Sequence, residues 1–141
     1  MNNIIINKTQ SIQHCIKRAR EELNKTGEDF TSDYTRQDAA ILNITRACEQ
    51  AIDLANHLIK TNKLGIPSDS RQSFDLLAEA EIISVEIAGS LKKMIGFRNT
   101  AIHEYQRINI PIVVNIIQKD SGDLIRFTKY VLSWDKQKGK K

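Results

Sequence analysis

Apolar positions recur every three or four residues along most of the chain, the spacing that gathers side chains onto one face of an α-helix. Ile5, Ile12, Ile16, Ala19 and Leu23 share such a face and predict a first helix from about residue 3 to 24. Asn24 to Ser32 breaks the pattern and reads as a connection, with Thr31, Ser32 or Asp33 available to cap the next helix. There Ile41, Ile44, Cys48, Ala51, Ala55 and Leu58 step by threes and fours. Ala40, Ala47 and Leu54 widen this stripe, so the second helix should meet more than one neighbour. It is predicted to stop at Lys63-Leu64-Gly65-Ile66-Pro67, where glycine can form a left-handed C-cap and proline forbids continuation. Ser68-Asp69-Ser70 offers caps for a shorter third helix, with Phe74, Leu77 and Ala78 inward. A fourth begins around Ser84 and carries Ile87, Leu91, Met94 and Ile95. Pro111 suits the first turn of a fifth, where its missing N–H matters least. Val113, Ile116, Leu124, Phe127, Val131 and Trp134 keep one phase across Ser121-Gly122-Asp123, which predicts a single helix through that glycine. No period-two pattern competes, so the expected fold is an all-α antiparallel bundle of about five helices.

Composition leaves that picture in place. Two prolines and six glycines in 141 residues give little punctuation, and the length suits one domain with a core of its own. The apolar run Ile4-Ile5-Ile6 is too short for a signal peptide, and no later stretch approaches a membrane span. A cytoplasmic protein without membrane contact is expected. Cys15 and Cys48 lie on the apolar stripes of two helices and read as small core residues. No C-x-x-C, His/Cys cluster or paired-His helix motif calls for a metal, and no glycine-rich phosphate loop is present.

Charge divides the chain more sharply. Of the 21 Lys and Arg residues, Lys136, Lys138, Lys140 and Lys141 fall within the last six positions, leaving 17 against 17 Asp and Glu. Asp135 is one of those 17 acids, so the lysine-rich tail (135–141) carries +3 of the net +4 and the helical domain (1–134) only +1. That tail reads as a solvated terminus, with affinity for RNA or an acidic partner through counterion release as the alternative.

One stretch looks like chemistry rather than packing. Residues 98–105 read Arg-Asn-Thr-Ala-Ile-His-Glu-Tyr, spacing a permanent cation, an imidazole and a phenol as R-x4-H-x-Y. The guanidinium of Arg98 offers a planar fork of donors suited to phosphate, and His103 can exchange a proton near neutral pH. Successive helical residues rotate by about 100°, so Arg98, Ile102 and Tyr105 share a face while His103 lies roughly 140° from Arg98. Three arrangements can still unite the pair: Arg98 sweeps around the helix, the helix ends before His103, or two chains contribute across a dimer interface. Asn99, four residues before His103, is its same-face neighbour and is placed to orient the imidazole or hold a substrate oxygen. The structural alternative pairs Arg98 with a carboxylate such as Glu104, leaves His103 at the surface and buries Tyr105 in the core. His14 and His57 each stand alone on a helix and carry no comparable pattern.

The R-x4-H-x-Y stretch resembles the signature of HEPN proteins, specifically the HepT-like toxins. Cys48-Glu49-Gln50-Ala51-Ile52-Asp53-Leu54-Ala55-Asn56-His57 resembles the second helix of that family. Leu64-Gly65-Ile66-Pro67 with Arg71-Gln72-Ser73-Phe74-Asp75-Leu76-Leu77 resembles its following loop and helix, and Leu91-Lys92-Lys93-Met94-Ile95-Gly96-Phe97 the approach to the motif. The resemblance covers roughly residues 1 to 134. It implies a homodimeric helical toxin, a metal-independent endoribonuclease without a cofactor. Arg98 and His103 would be its catalytic pair, with Asn99 as a supporting polar residue. It also implies an MntA-like nucleotidyltransferase antitoxin that transfers AMP to Tyr105 and can hold the toxin in a larger hetero-oligomer. Two other readings remain: a non-catalytic substrate- or nucleotide-binding subunit of a nucleotidyltransferase complex, and a dimeric scaffold whose motif is a structural polar cluster. Because the body of the chain is close to neutral, recognition of RNA would rest on shape or local pockets.

Overall fold

The structure, a computed structural model, describes residues 3–139, and every regular element among them is helical. Helices α1 (Asn3–Thr26) and α2 (Tyr34–Asn62) are joined by a 3₁₀ segment, Gly27–Ser32. Of the three predicted caps it is Asp33 that opens α2, its side chain accepting the Arg36 N–H at 3.1 Å. The expected loose connection is instead packed. Phe30 is buried, and the buried Gln37 donates its Nε2 to the Phe30 carbonyl at 2.7 Å.

The end of α2 differs from expectation. Its left-handed C-cap is Lys63 (φ 53°, ψ 50°), whose N–H returns to the Ile59 carbonyl, not Gly65. Gly65 lies two residues later at φ 130°, a conformation that only glycine enters cheaply. The chain thus reverses in two steps, a cap and then a glycine turn. Asp69 caps α3 (Ser70–Glu79) and Ser84 caps α4 (Val85–His103), each side chain accepting a first-turn N–H. Asn109 caps α5 (Ile110–Asn115), with Pro111 in the first turn. A π-helical segment, Ile116–Asp120, carries α5 into α6 (Ser121–Gly139), so one continuous helical run does pass through Gly122.

Side-chain pairings reveal the antiparallel order. Lys8 meets Asp53, while farther along α1 Glu22 meets Arg36, so positions rising on one helix oppose positions falling on the other. Gln13 with Thr128 and Arg20 with Ser121 show the same relation between α1 and α6. Helix α2 is central, packing most extensively on α1 and also touching α3, α4 and α6, as its widened stripe requires. Ile44, Ala47, Cys48, Ala51, Leu54 and Ala55 on α2 are almost completely buried. Phe74 of α3 meets Phe127 of α6 edge-to-face at 5.6 Å, a contact worth about 1 kcal/mol beyond the area it covers. Cys15 and Cys48 are free and buried, and burial pushes the Cys48 thiol up to about 12, which makes it an inert packing group.

Buried charge is paired where α1 meets α2. Glu22 is buried between Arg36 (2.7 Å) and Arg18 (2.6 Å). The hydrogen bond from Arg36 lowers its pKa most, and the one from Arg18 adds to this against the opposing effect of burial. At the other end of the chain, α6 continues past position 134 to Gly139. Lys138 sits 4.9 Å from the Trp134 ring centroid and donates to Asn62 Oδ1, tying this part of the tail to α2; Lys140 and Lys141 lie outside the described residues. Among the described residues no helix is long and apolar enough to cross a membrane.

Candidate active site

Helix α4 delivers the motif at its C-terminal end and stops within it. His103 is the last helical residue; Glu104 leaves helical geometry (φ −141°, ψ 52°) while its N–H still reaches the Thr100 carbonyl at 2.8 Å. Tyr105–Arg107 then form a single 3₁₀ turn before Asn109 starts the next helix. The helix does not end before His103, so the imidazole keeps its helical position, about 140° around the axis from Arg98 on ideal geometry.

Arg98 leans towards α2. Its Nη1 donates to Asn99 Oδ1 at 2.9 Å, and Glu49 Oε1 stands 3.9 Å from Nε. Nε itself is buried with no hydrogen-bond partner, leaving a donor of the guanidinium fork unmet. Glu104 is not the partner of Arg98; it pairs with Arg107 at 3.5 Å. Asn99 therefore engages the arginine. His103 is exposed, and none of the side-chain hydrogen bonds or ion pairs among the described residues involves its imidazole. Within one chain Arg98 and Asn99 share a hydrogen bond, while none of the side-chain hydrogen bonds or ion pairs among the described residues joins His103 to either.

Tyr105 is half exposed rather than part of the core, because the helix has already ended before it. Its hydroxyl crosses to α2 and donates to Asp38 Oδ1. Burial, then the hydrogen bond to Asp38 and its negative charge, push the phenol up to about 12. Beside it a cavity of 460 Å³ runs between α2 and α4, lined by Asp38, Leu42, Thr45, Glu49, Ile102 and Tyr105 among others. Leu42 and Ile102 are large apolar side chains left half exposed at this face.

The α2 side of the site is what sequence reasoning missed. Asp38 and Glu49 lie 67 and 49 positions before their partners, and no local pattern announces such pairs. A signal was nonetheless present. Asp38, Leu42, Thr45 and Glu49 are spaced by threes and fours, marking a second face of α2 that is neither fully apolar nor fully charged. Among the described residues no group of three or more His, Cys, Asp or Glu side chains is placed to hold a metal ion.

Residues 12–131 match a family described as Ribonuclease HepT-like. The mRNA nuclease HepT of Shewanella oneidensis is 46% identical over 127 residues, which span 90% of this chain and 95% of that one. A solved toxin–antitoxin structure with AMP-PNP matches at 42% identity and a TM-score of 0.89, covering 94% of this chain and 99% of its own. The tri-AMPylated Shewanella oneidensis HEPN toxin, solved in complex with MNT antitoxin, matches at 44% identity with the same TM-score and coverage. With the family match spanning most of the chain and these folds superposing along it, this chain belongs to the ribonuclease HepT-like family.

Proposed function

We propose that this chain is the toxin of a toxin–antitoxin pair, a cytoplasmic endoribonuclease that works without a metal ion. A nucleotidyltransferase antitoxin of the MNT class restrains it by transferring AMP to Tyr105. The observation that carries this reading is the Arg98–His103–Tyr105 set at the free end of α4, in a chain 46% identical to an mRNA nuclease. The half-exposed Tyr105 beside an open groove supports the second part, as does the AMPylated state of the related toxin.

The chemistry needs few groups. RNA brings its own nucleophile, the 2′-hydroxyl next to the scissile phosphate, so the protein must accept that proton, stabilise charge on the phosphoryl oxygens and protonate the departing 5′-oxygen. An imidazole performs either proton transfer, and such catalysis is worth about 10²–10⁴-fold in rate. Arg98, whose side chain keeps 25% of its surface exposed, supplies charge stabilisation. Two copies around a twofold axis bring two imidazoles to one cleft, so that one acts as base and the other as acid. The half-exposed Leu42 and Ile102 suit burial in such an interface, which also answers the separation of His103 from Arg98 within one chain.

An AMP group on Tyr105 adds bulk and negative charge two residues from His103, competes for the guanidinium and obstructs the substrate phosphate. Replacing Tyr105 by Phe separates restraint from cleavage. In cells carrying both partners, Tyr105→Phe toxin is expected to stop growth while the antitoxin no longer protects and no AMP adduct appears by intact mass. Full protection by the antitoxin despite this change would rule out modification of Tyr105 as the means of control.

A further inference from the structure

The hydroxyl of Tyr105 is a poor nucleophile until it loses its proton, and its surroundings oppose losing it early. Burial and the neighbouring carboxylate keep the free phenolate out of reach at neutral pH. The proton must therefore leave as the new bond forms, to an acceptor already in place.

The described structure contains one such acceptor on this hydroxyl. Asp38 stands in the second turn of α2, exposed to solvent, and its Oδ1 takes the Tyr105 Oη–H hydrogen bond across 67 residues of sequence. The other charged groups nearby are directed elsewhere. Glu49, farther along the groove, faces Arg98; Glu104 pairs with Arg107; and among the described residues no side-chain hydrogen bond joins His103 to Tyr105 or Asp38. The cavity of 460 Å³ opens beside the Asp38–Tyr105 pair and leaves room for a nucleotide to approach Oη.

We infer that Asp38 is the general base for AMP transfer to Tyr105, built into the protein being modified. This rests on the reading of Tyr105 as the AMP acceptor. In the step, Tyr105 Oη attacks the α-phosphorus of a nucleoside triphosphate. The Oη–P bond forms as the bond from that phosphorus to the bridging oxygen of the β-phosphate breaks. The electron pair leaves with pyrophosphate, the Oη proton passes to Asp38 Oδ1, and exposed Asp38 returns it to water. An ionised carboxylate is acceptor-only, so Asp38 both aims the hydroxyl and receives its proton. Toxin and antitoxin would thereby share one active site, with the base on the acceptor's side.

The test measures initial rates of AMP transfer from ATP and Mg²⁺ by purified MNT-class antitoxin onto full-length, unmodified toxin, followed by intact mass. Asp38→Asn preserves shape and an acceptor oxygen but not the ability to take a proton. Expected is a fall in kcat of about 10²–10⁴-fold with KM for the toxin little changed, and partial recovery in Asp38→Glu. Circular dichroism confirms that each variant is folded. Wild-type kcat in Asp38→Asn, or a loss confined to KM, would overturn the base role. The two readings fail in different ways: a wild-type toxin that is never modified, or a Tyr105→Phe toxin that is modified as before, removes the acceptor and this inference with it. If only Asp38→Asn behaves as wild type, Tyr105 remains the acceptor and the base lies elsewhere.

Discussion

Tyr105 and Asp38 make a pair whose properties can be read by titration alone. A phenol ordinarily ionises near 10, and here burial and then the carboxylate push it up to about 12. The ultraviolet difference between wild type and Tyr105→Phe should show a component titrating near 12, shifting down in Asp38→Asn. The sign for stability follows from linkage. Because the folded state holds this proton more tightly, the pair stabilises the fold below the unfolded value near 10, and that contribution is lost as pH rises from there through 12. A Tyr105 component at 10 or below would contradict the contact. The contrast with Arg98, Asn99, His103 and Tyr105 shows what a sequence displays. Those four fall within eight consecutive positions, so their spacing and family resemblance are legible at once. Asp38 and Glu49 join them only through the packing of α2 on α4, a tertiary fact that spacing along the chain does not encode. The same holds for Asn99, whose helical spacing points to His103 while its oxygen is taken by the adjacent arginine.

At the level of elements, periodicity located every rod, because each buries one continuous stripe. It missed conformations that change backbone geometry without changing which residues face inward. The cap of α2 fell on Lys63 rather than Gly65, since a single left-handed lysine closes the helix and leaves glycine for the turn that follows. The π-helical segment Ile116–Asp120 was equally silent. The Ser121 N–H reaches back to the Ile116 carbonyl, enclosing one residue more than an α-turn, so the inward phase of Val113 and Leu124 survives on both sides. Removing one residue from this segment should therefore restore an ordinary α-turn without rotating α6 against α5. Deletion of the exposed Lys119 is expected to leave a cooperative fold, with stability changed by about 1 kcal/mol or less in urea denaturation. A chain that no longer unfolds cooperatively would mean that the wide turn is required for packing.

For the molecule as a whole, helical periodicity without a competing strand pattern implied the antiparallel bundle, and the widened stripe of α2 implied its contacts with more than one neighbour. Family membership followed from motifs that survive without any structure. Within one chain the helix sets Arg98 and His103 on different sides, because α4 does not end before His103. A catalytic account of this chain consequently leans on two copies, on an imidazole that moves protons and on an arginine that holds phosphate. The direct test is incubation of purified, unmodified protein with total cellular RNA in EDTA, beside a His103→Ala variant shown to be folded. The account predicts cleavage that survives chelation and vanishes in His103→Ala. Undiminished cleavage by His103→Ala, or no cleavage by wild type across tRNA, rRNA and mRNA, would contradict it.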